Sequence, residues 1–302
     1  MFRITLEKGT LSQTVGYTSL TQPASFIAET PSDTQGVFFG AKNSDDAEIF
    51  SVPFLKFQTN LKLPGIPLNL VNSPDGIFSY ILLFNPKNEE GYLLIFNFLY
   101  GVKQQLMQLG RYPISGSVTN DSQHLLVADQ YENLIEVINL TNLNLAPIGI
   151  SVCPNPSEVI ASPYNSEIAY VLCGGIAGVQ IININSRQVL TTISLPEPGS
   201  SMTIAQGGEY GFITLPQHDE VAEINFLTGQ LQASISATSS PLDSCLMDNF
   251  LFVFYSSGLI VQYDPNSLKA VNILNAMPGK IIATCNDNSV GYLANVPMSF
   301  IG

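Results

Sequence analysis

Acidic residues recur in this chain at regular places. Asp45, Asp46 and Glu48 form one group, Glu89 and Glu90 a second, Asp129 and Glu132 a third, and Asp219 and Glu220 a fourth. Each group sits between two short apolar runs, the position of a loop joining two strands. Carboxylates gathered on loops attract a basic partner or hold a cation. Tyr131 lies inside the third group, and His218 inside the fourth, in Gln217-His218-Asp219-Glu220. An exposed tyrosine offers an anchor for a partner, and Tyr112 is a second ring expected on the same face. The candidate partner-binding set is Asp45, Asp46, Glu48, Glu89, Glu90, Asp129, Tyr131, Glu132, His218, Asp219 and Glu220. The expected partner is a basic protein or peptide.

Catalytic signals are weak beside this one. There is no G-x-S-x-G elbow, no P-loop and no dinucleotide-binding glycine run, so no catalytic residue is assigned. His124 is expected on the opposite face from His218, too far for one two-histidine metal site. The enzymatic alternative is a metal-dependent lactonase-type hydrolase with its site at the mouth of a central channel. It would draw on inner-strand polar groups: Glu29, Asn69, Asn72, Glu158, Gln206, Asp243 and Asn286. Those are scattered in register, and convergence is not evident. No cofactor is expected, and a divalent cation is the one such ligand the acidic groups leave open. A third alternative is a structural module of a surface assembly.

Composition narrows the partners. A net charge of −13, from 24 acidic and 11 basic residues, excludes nucleic acid, whose phosphates need Lys and Arg clusters. It also excludes an anionic membrane surface. The longest apolar stretch, Tyr92 to Val102, is shorter than the roughly 20 residues of a membrane-spanning helix. The opening segment MFRITLEKGT lacks the apolar region of a signal peptide. The chain reads as cytoplasmic as written, with a secreted or periplasmic life as the alternative if it is a mature fragment or exported by another route. Only 12% of residues are charged, so the surface must be largely Ser, Thr, Asn and Gln, which suits strands and turns better than helices.

Four cysteines do not make a disulfide framework. Cys245 and Cys285 fall at equivalent places in successive repeats, where the side chains are expected to pack as small buried groups beyond disulfide reach. Cys153 and Cys173 fall toward one face, where a bond is geometrically open.

The elements that position these residues repeat. The clearest unit starts at Pro156 and runs through apolar segments at 158–161, 168–173, 179–184 and 188–195, separated by turn residues such as Pro163-Tyr164-Asn165-Ser166. Similar units start at Pro23, Pro67, Pro113, Ser201 and Pro241, and with Pro156 in its place the six starts are spaced 44, 46, 43, 45 and 40 residues apart. Four short strands per period of roughly 40 to 45 residues is the signature of propeller blades. A seventh unit is split: Lys280 onward supplies two strands, and Phe2 to Leu20 supplies the other two. The expected fold is therefore an all-β, seven-bladed β-propeller of four-stranded antiparallel blades, the last closed by both termini. The blades span 23–66, 67–112, 113–155, 156–200, 201–240, 241–279, and 280–302 with 1–22, in one domain. A ring with no free seam is expected to be a monomer.

The Ser73-Pro74-Asp75-Gly76 turn, the segments Ala169-Tyr170-Val171 and Leu126-Val127-Ala128, and the endings Val137-Ile138-Asn139-Leu140 and Val261-Gln262-Tyr263-Asp264 resemble the YVTN-type repeats of YncE-like seven-bladed propellers. The resemblance covers nearly the whole chain. It implies the fold and leaves function open, since such propellers serve as binding platforms, surface proteins and enzymes. The chain departs from the pattern in placing Asn where Asp is common after the third strand, and in having no Trp.

Overall fold

Apolar residues in each repeat are of two kinds, and this decides the layering. The second and third segments are apolar on both faces, as in IAYVLC and FLFVFY, whereas the fourth alternates or is polar, as in QLQASIS. A strand apolar on both faces must be covered on both. The computed structural model describes residues 2–7, 10–14, 24–30, 36–41, 43–51, 56–205, 207–247, 249–275, 280–285 and 290–296, with side chains described over 26–30, 38, 40, 43–51 and 56–275 apart from 206 and 248.

The described residues form antiparallel four-stranded sheets and contain no helix. Strands β1 (Phe2–Glu7) and β2 (Thr10–Thr14) come first. Then follow β3 (Ala24–Glu29), β4 (Gly36–Ala41), β5 (Asp46–Ser51) and β6 (Lys56–Lys62) as one sheet. The next is β7 (Ile66–Asn72), β8 (Ser79–Asn85), β9 (Glu90–Asn97) and β10 (Val102–Leu109). It is followed by β11 (Pro113–Val118), β12 (His124–Asp129), β13 (Leu134–Asn139) and β14 (Ile148–Ser151). Strands β15 (Pro156–Ala161), β16 (Ile168–Cys173), β17 (Gly178–Asn183) and β18 (Gln188–Ser194) repeat the pattern. So do β19 (Ser201–Ile204), β20 (Tyr210–Leu215), β21 (Glu220–Asn225) and β22 (Gln230–Ser236). After them come β23 (Pro241–Met247), β24 (Phe250–Tyr255), β25 (Leu259–Asp264) and β26 (Lys269–Asn275). Finally β27 (Lys280–Cys285) and β28 (Val290–Val296) join β1 and β2 in the order β2-β1-β28-β27, with Phe2 opposite Leu293. This succession of antiparallel four-stranded sheets is propeller-like.

The chain divides into two compact units, Ala28–Pro198 and Gly199–Gly302 with Met1–Ile27. Inside the first, each sheet packs on the next, and the alternation along one strand shows how. Leu126 and Ala128 of β12 join a cluster with Val159, Ala169 and Val171 of the following sheet. Their neighbours Leu125 and Val127 join Leu82, Leu93 and Ile95 of the preceding one. Burying a Leu or Val of this kind is worth about 1.5–3 kcal/mol. In the second unit Phe212 and Val221 pack against Leu251, Val253 and Val261 in the same way.

First strands are tied by short polar side chains rather than by a ladder. Asn72 Nδ2 donates to the Glu29 carbonyl at 2.8 Å and Asn69 Nδ2 to the Ile114 carbonyl at 3.3 Å. Ser115 and Ser117 hydroxyls accept from the amides of Val159 and Ala161 at 3.2 and 3.0 Å. Proline stands first or second in four of these strands, at 67, 113, 156 and 241, and the register shifts immediately after it each time. A proline there removes a donor that the bulge would leave unpaired. Turns after the third strands are closed by the terminal Asn or Asp: Asn139, Asn183, Asn225 and Asp264 each accept from amides two or three residues on. One acceptor oxygen is all this needs, so Asn replaces Asp freely.

The cysteines form the bond left open at 153 and 173 and depart from the expected packing at 245. Cys153 and Cys173 form a buried disulfide, Cα to Cα 5.9 Å, joining the segment after β14 to the end of β16. Cys245 is disulfide-bonded too, not a free buried thiol; Cys285 lies outside the residues whose side chains are described. No cysteine among the described residues is free. The Cys153→Ser, Cys173→Ser double variant should lose about 3 kcal/mol of stability. Thermal melts with and without reductant check this: the wild type should fall toward the variant in reductant, while a reductant-insensitive melting temperature would remove the disulfide from the account.

Candidate partner-binding surface

The connector from β10 to β11 organises the surface in the first unit. Gly110 N–H donates to Glu136 Oε1 at 3.1 Å, and the Gly110 carbonyl accepts from Gly91 N–H at 2.7 Å. A Cβ on Gly110 would collide with Asp129 Oδ2, and one on Gly91 with the Gly110 carbonyl and the Pro113 ring. Only glycine lets these chains approach so closely. Asp129 is 0% exposed. Its Oδ1 accepts from the amides of Tyr131 and Glu132 at 3.1 and 3.0 Å, and its Oδ2 from the Tyr112 amide at 3.4 Å. One buried carboxylate thus fixes the connector and the β12–β13 turn together, as charge-assisted bonds to amides do.

That arrangement sets two rings in parallel. Tyr112 stacks on Tyr131 with centroids 4.8 Å apart and planes at 20°, and meets Phe84 edge-on at 5.0 Å. Tyr131 remains 58% exposed. Burial, then the neighbouring Tyr131, pushes the Tyr112 hydroxyl above its ordinary range. Around the rings, Arg111 pairs with Glu89 at 2.8 Å on the exposed surface. Glu90 Oε2 accepts from the Tyr92 hydroxyl and the Asn88 amide, both at 2.8 Å, and Glu132 is exposed.

Several acids expected on an open rim have other work. Glu48 lies within β5 and is 5% exposed, so it is not a loop group. Asp129 is buried, its carboxylate holding backbone amides. Asp45 and Asp46 share Lys62, whose ammonium lies 2.5 and 3.2 Å from them; such exposed pairs contribute little to stability but remove field. His218, Asp219 and Glu220 belong to the other compact unit. There Asp219 takes a positive φ of 51° in the turn and accepts from the Ser240 hydroxyl at 3.0 Å, while His218 is exposed. The structure brings together Glu89, Glu90, Asp129, Tyr131 and Glu132 around Tyr112. Arg111, Phe84 and Glu136 were missed. The signal for Glu136 was present: an acid in the middle of the apolar strand LIEVIN.

Among the described residues no group of three or more His, Cys, Asp or Glu side chains could hold a metal ion. Of the inner-strand groups considered for a channel site, Asn69 and Asn72 are engaged in the inter-sheet bonds above, and Gln206 and Asn286 lie outside the described residues. Comparison of the sequence with models of known protein families finds no match, and comparison with curated proteins finds none either.

Glu136 has a close counterpart that isolates the effect of its charge. In the next sheet Gln180 Oε1 accepts from the Cys153 amide at 2.8 Å, just as Glu136 accepts from Gly110. Gln180 Nε2 also reaches Thr192 at 3.3 Å, whereas Glu136 faces Gly149 across the strands, and its Oε2 is buried without a partner. Burial, and then the nearby Asp129 and Glu132, pushes the Glu136 carboxyl up to about 7, against the Gly110 hydrogen bond, which lowers it. The folded state thus binds this proton more tightly than the unfolded chain. Its contribution is fully present below the unfolded value of 4.5 and is lost as pH rises through about 7. Glu136→Gln should therefore gain on the wild type between pH 5 and pH 8, by on the order of 2–3 kcal/mol. Denaturant melts across that range measure it; parallel curves for the two proteins would show that Glu136 does not titrate there.

Proposed function

We propose that the chain is a non-enzymatic binding module that receives a basic protein or peptide on the Tyr112–Tyr131 surface. The observation that carries this is the stacked pair itself: a flat ring 58% exposed, held by a second ring and by the buried Asp129 cap, with Glu132 in the same turn, Glu90 bonded to Tyr92 nearby, and Glu89 paired with Arg111 of the connector. Preorganised tyrosines are favoured anchors because ordering them at an interface loses little side-chain entropy. Carboxylates around them favour Lys and Arg on the partner, and the net charge of −13 accelerates encounter with a cationic one.

The reading is tested with arginine-rich and lysine-rich peptides at low salt, with glutamate-rich peptides as the control. Basic peptides should bind, and added salt should weaken them. Tyr131→Ala, which keeps the Tyr131 amide bonded to Asp129, should reduce affinity about tenfold. Glu89→Gln combined with Glu132→Gln should flatten the salt dependence. Equal binding of acidic and basic peptides, or an unaltered Tyr131→Ala variant, would overturn the proposal.

We propose further that the sheets are the blades of one seven-bladed propeller of the YVTN type. Support comes from the repeat period, the resemblance of the turns and strand endings, and the sheet formed jointly by β1, β2, β27 and β28. Electron-microscopy projections with seven lobes are the expected result, and any other number would overturn the count. Disulfides at Cys153–Cys173 and Cys245 favour maturation in an oxidising compartment. Thiol labelling of denatured protein drawn from such a compartment should find no free thiol; quantitative labelling without reductant would overturn this.

A further inference from the structure

A cavity of about 390 Å³ opens between the sheet β7–β10 and the sheet β11–β14, near the turn that joins β7 to β8. It is separate from the tyrosine surface. The loop between β13 and β14, residues 140–147, is about twice the length of its counterparts at 184–187, 226–229 and 265–268. It supplies Leu140 and Leu143 as one wall. Gln105 Nε2 donates to the Leu143 carbonyl at 3.3 Å and holds that loop in place. Phe78 and Tyr80 line the cavity with these leucines.

Two polar groups in this lining have an atom left open by the described residues and accessible from the cavity. Tyr80 is 7% exposed, and its hydroxyl makes no hydrogen bond with the described residues. The hydroxyl oxygen is itself accessible and opens onto the cavity, where a water or a ligand can serve it. Asp75 is an exposed turn residue at the edge of the cavity; its Oδ1 accepts from the Ser73 hydroxyl and the Ile77 amide, which fixes the turn, and leaves Oδ2 to solvent or a ligand. No basic residue lines the cavity. An anion there would face Asp75 without a counter-charge, whereas a cation would find a carboxylate oxygen and aromatic faces.

We propose that this cavity binds a small organic cation: an ammonium group at Asp75 Oδ2, an apolar body among Phe78, Leu140 and Leu143, and an acceptor atom that takes the Tyr80 O–H. The volume suits one compact molecule of this kind, at the lower end of ordinary ligand pockets.

Three probes of similar shape test it by calorimetry on the whole chain: 4-methoxyphenethylamine, its neutral N-acetyl derivative, and the anionic 4-methoxyphenylpropionate. The amine should bind most tightly and the carboxylate least. Asp75→Asn retains Oδ1 and the turn, and should weaken the amine about tenfold while leaving the neutral probe unchanged. Tyr80→Phe should weaken the amine and the neutral probe alike, by about fivefold. Tyr131→Ala should alter none of the three. Absence of amine binding at millimolar concentration, equal affinity for all three probes, or indifference to Asp75→Asn would each overturn the proposal.

Discussion

Coverage of both faces of the second and third strands is the constraint on which the rest of the structure depends. Leu125 and Val127 point into one sheet-to-sheet layer, and Leu126 and Ala128 into the next. A single sheet of this composition would expose an apolar face whichever way it turned, so no repeat can fold alone. The hydrophobic term therefore acts between repeats, and the hydrogen-bonded ladders act within them. In the first unit the sheet β11–β14 thus supplies half of two cores. The fourth strand escapes this rule because it has no successor across the sheet, and it is where polar and exposed residues collect, as in β18 and β22.

Stacking sheets so closely leaves backbone groups at the inner strands and connectors that no ladder can reach, and buried amides need partners. This chain meets them with short, mostly uncharged side chains: Asn69, Asn72, Ser115 and Ser117 between first strands, and Asn139, Asn183 and Asn225 at turns. The low proportion of charged residues follows. A Lys or Glu placed in the same narrow gaps would carry a desolvation penalty. Where a carboxylate does stand inside, as at Asp129, it serves several amides at once. Glu136 serves only one, and its environment holds its proton on.

Periodicity made the architecture legible. Proline at the head of first strands, the doubly apolar second strands and the Asn or Asp ending of third strands each have a direct structural cause, and the strand pattern follows from them. The site was legible only in part. Sequence position identifies Asp129 and Glu132 alike as acids near a turn. Whether a carboxylate faces outward depends on which amides lie within reach, and for Asp129 those come from the connector seventeen residues back as well as from its own turn. Glu48 sits near a loop in sequence yet within a strand covered on both faces, where either side of the sheet would bury it. The Cys153–Cys173 bond depends on the path of a connector, which no local pattern encodes. Nor does local pattern show that residues 140–147 wall a cavity rather than hang free.

Acidic residues here thus fall into two populations with different physics. Asp129 and Glu136 act at short range in a dry setting, through hydrogen bonds that fix the connector, and salt in the solvent reaches them weakly. Glu89, Glu90 and Glu132 stand in or near water, where each interaction is small and screened, so they can bias encounter with a partner without holding the fold together. The two populations meet at the Tyr112–Tyr131 pair. The buried carboxylates order the rings, and the solvated ones surround them. Removing a buried acid would disturb the shape of the surface, while removing an outer one would change only its field. That division allows charge on the outer face to vary while the platform beneath it stays as it is.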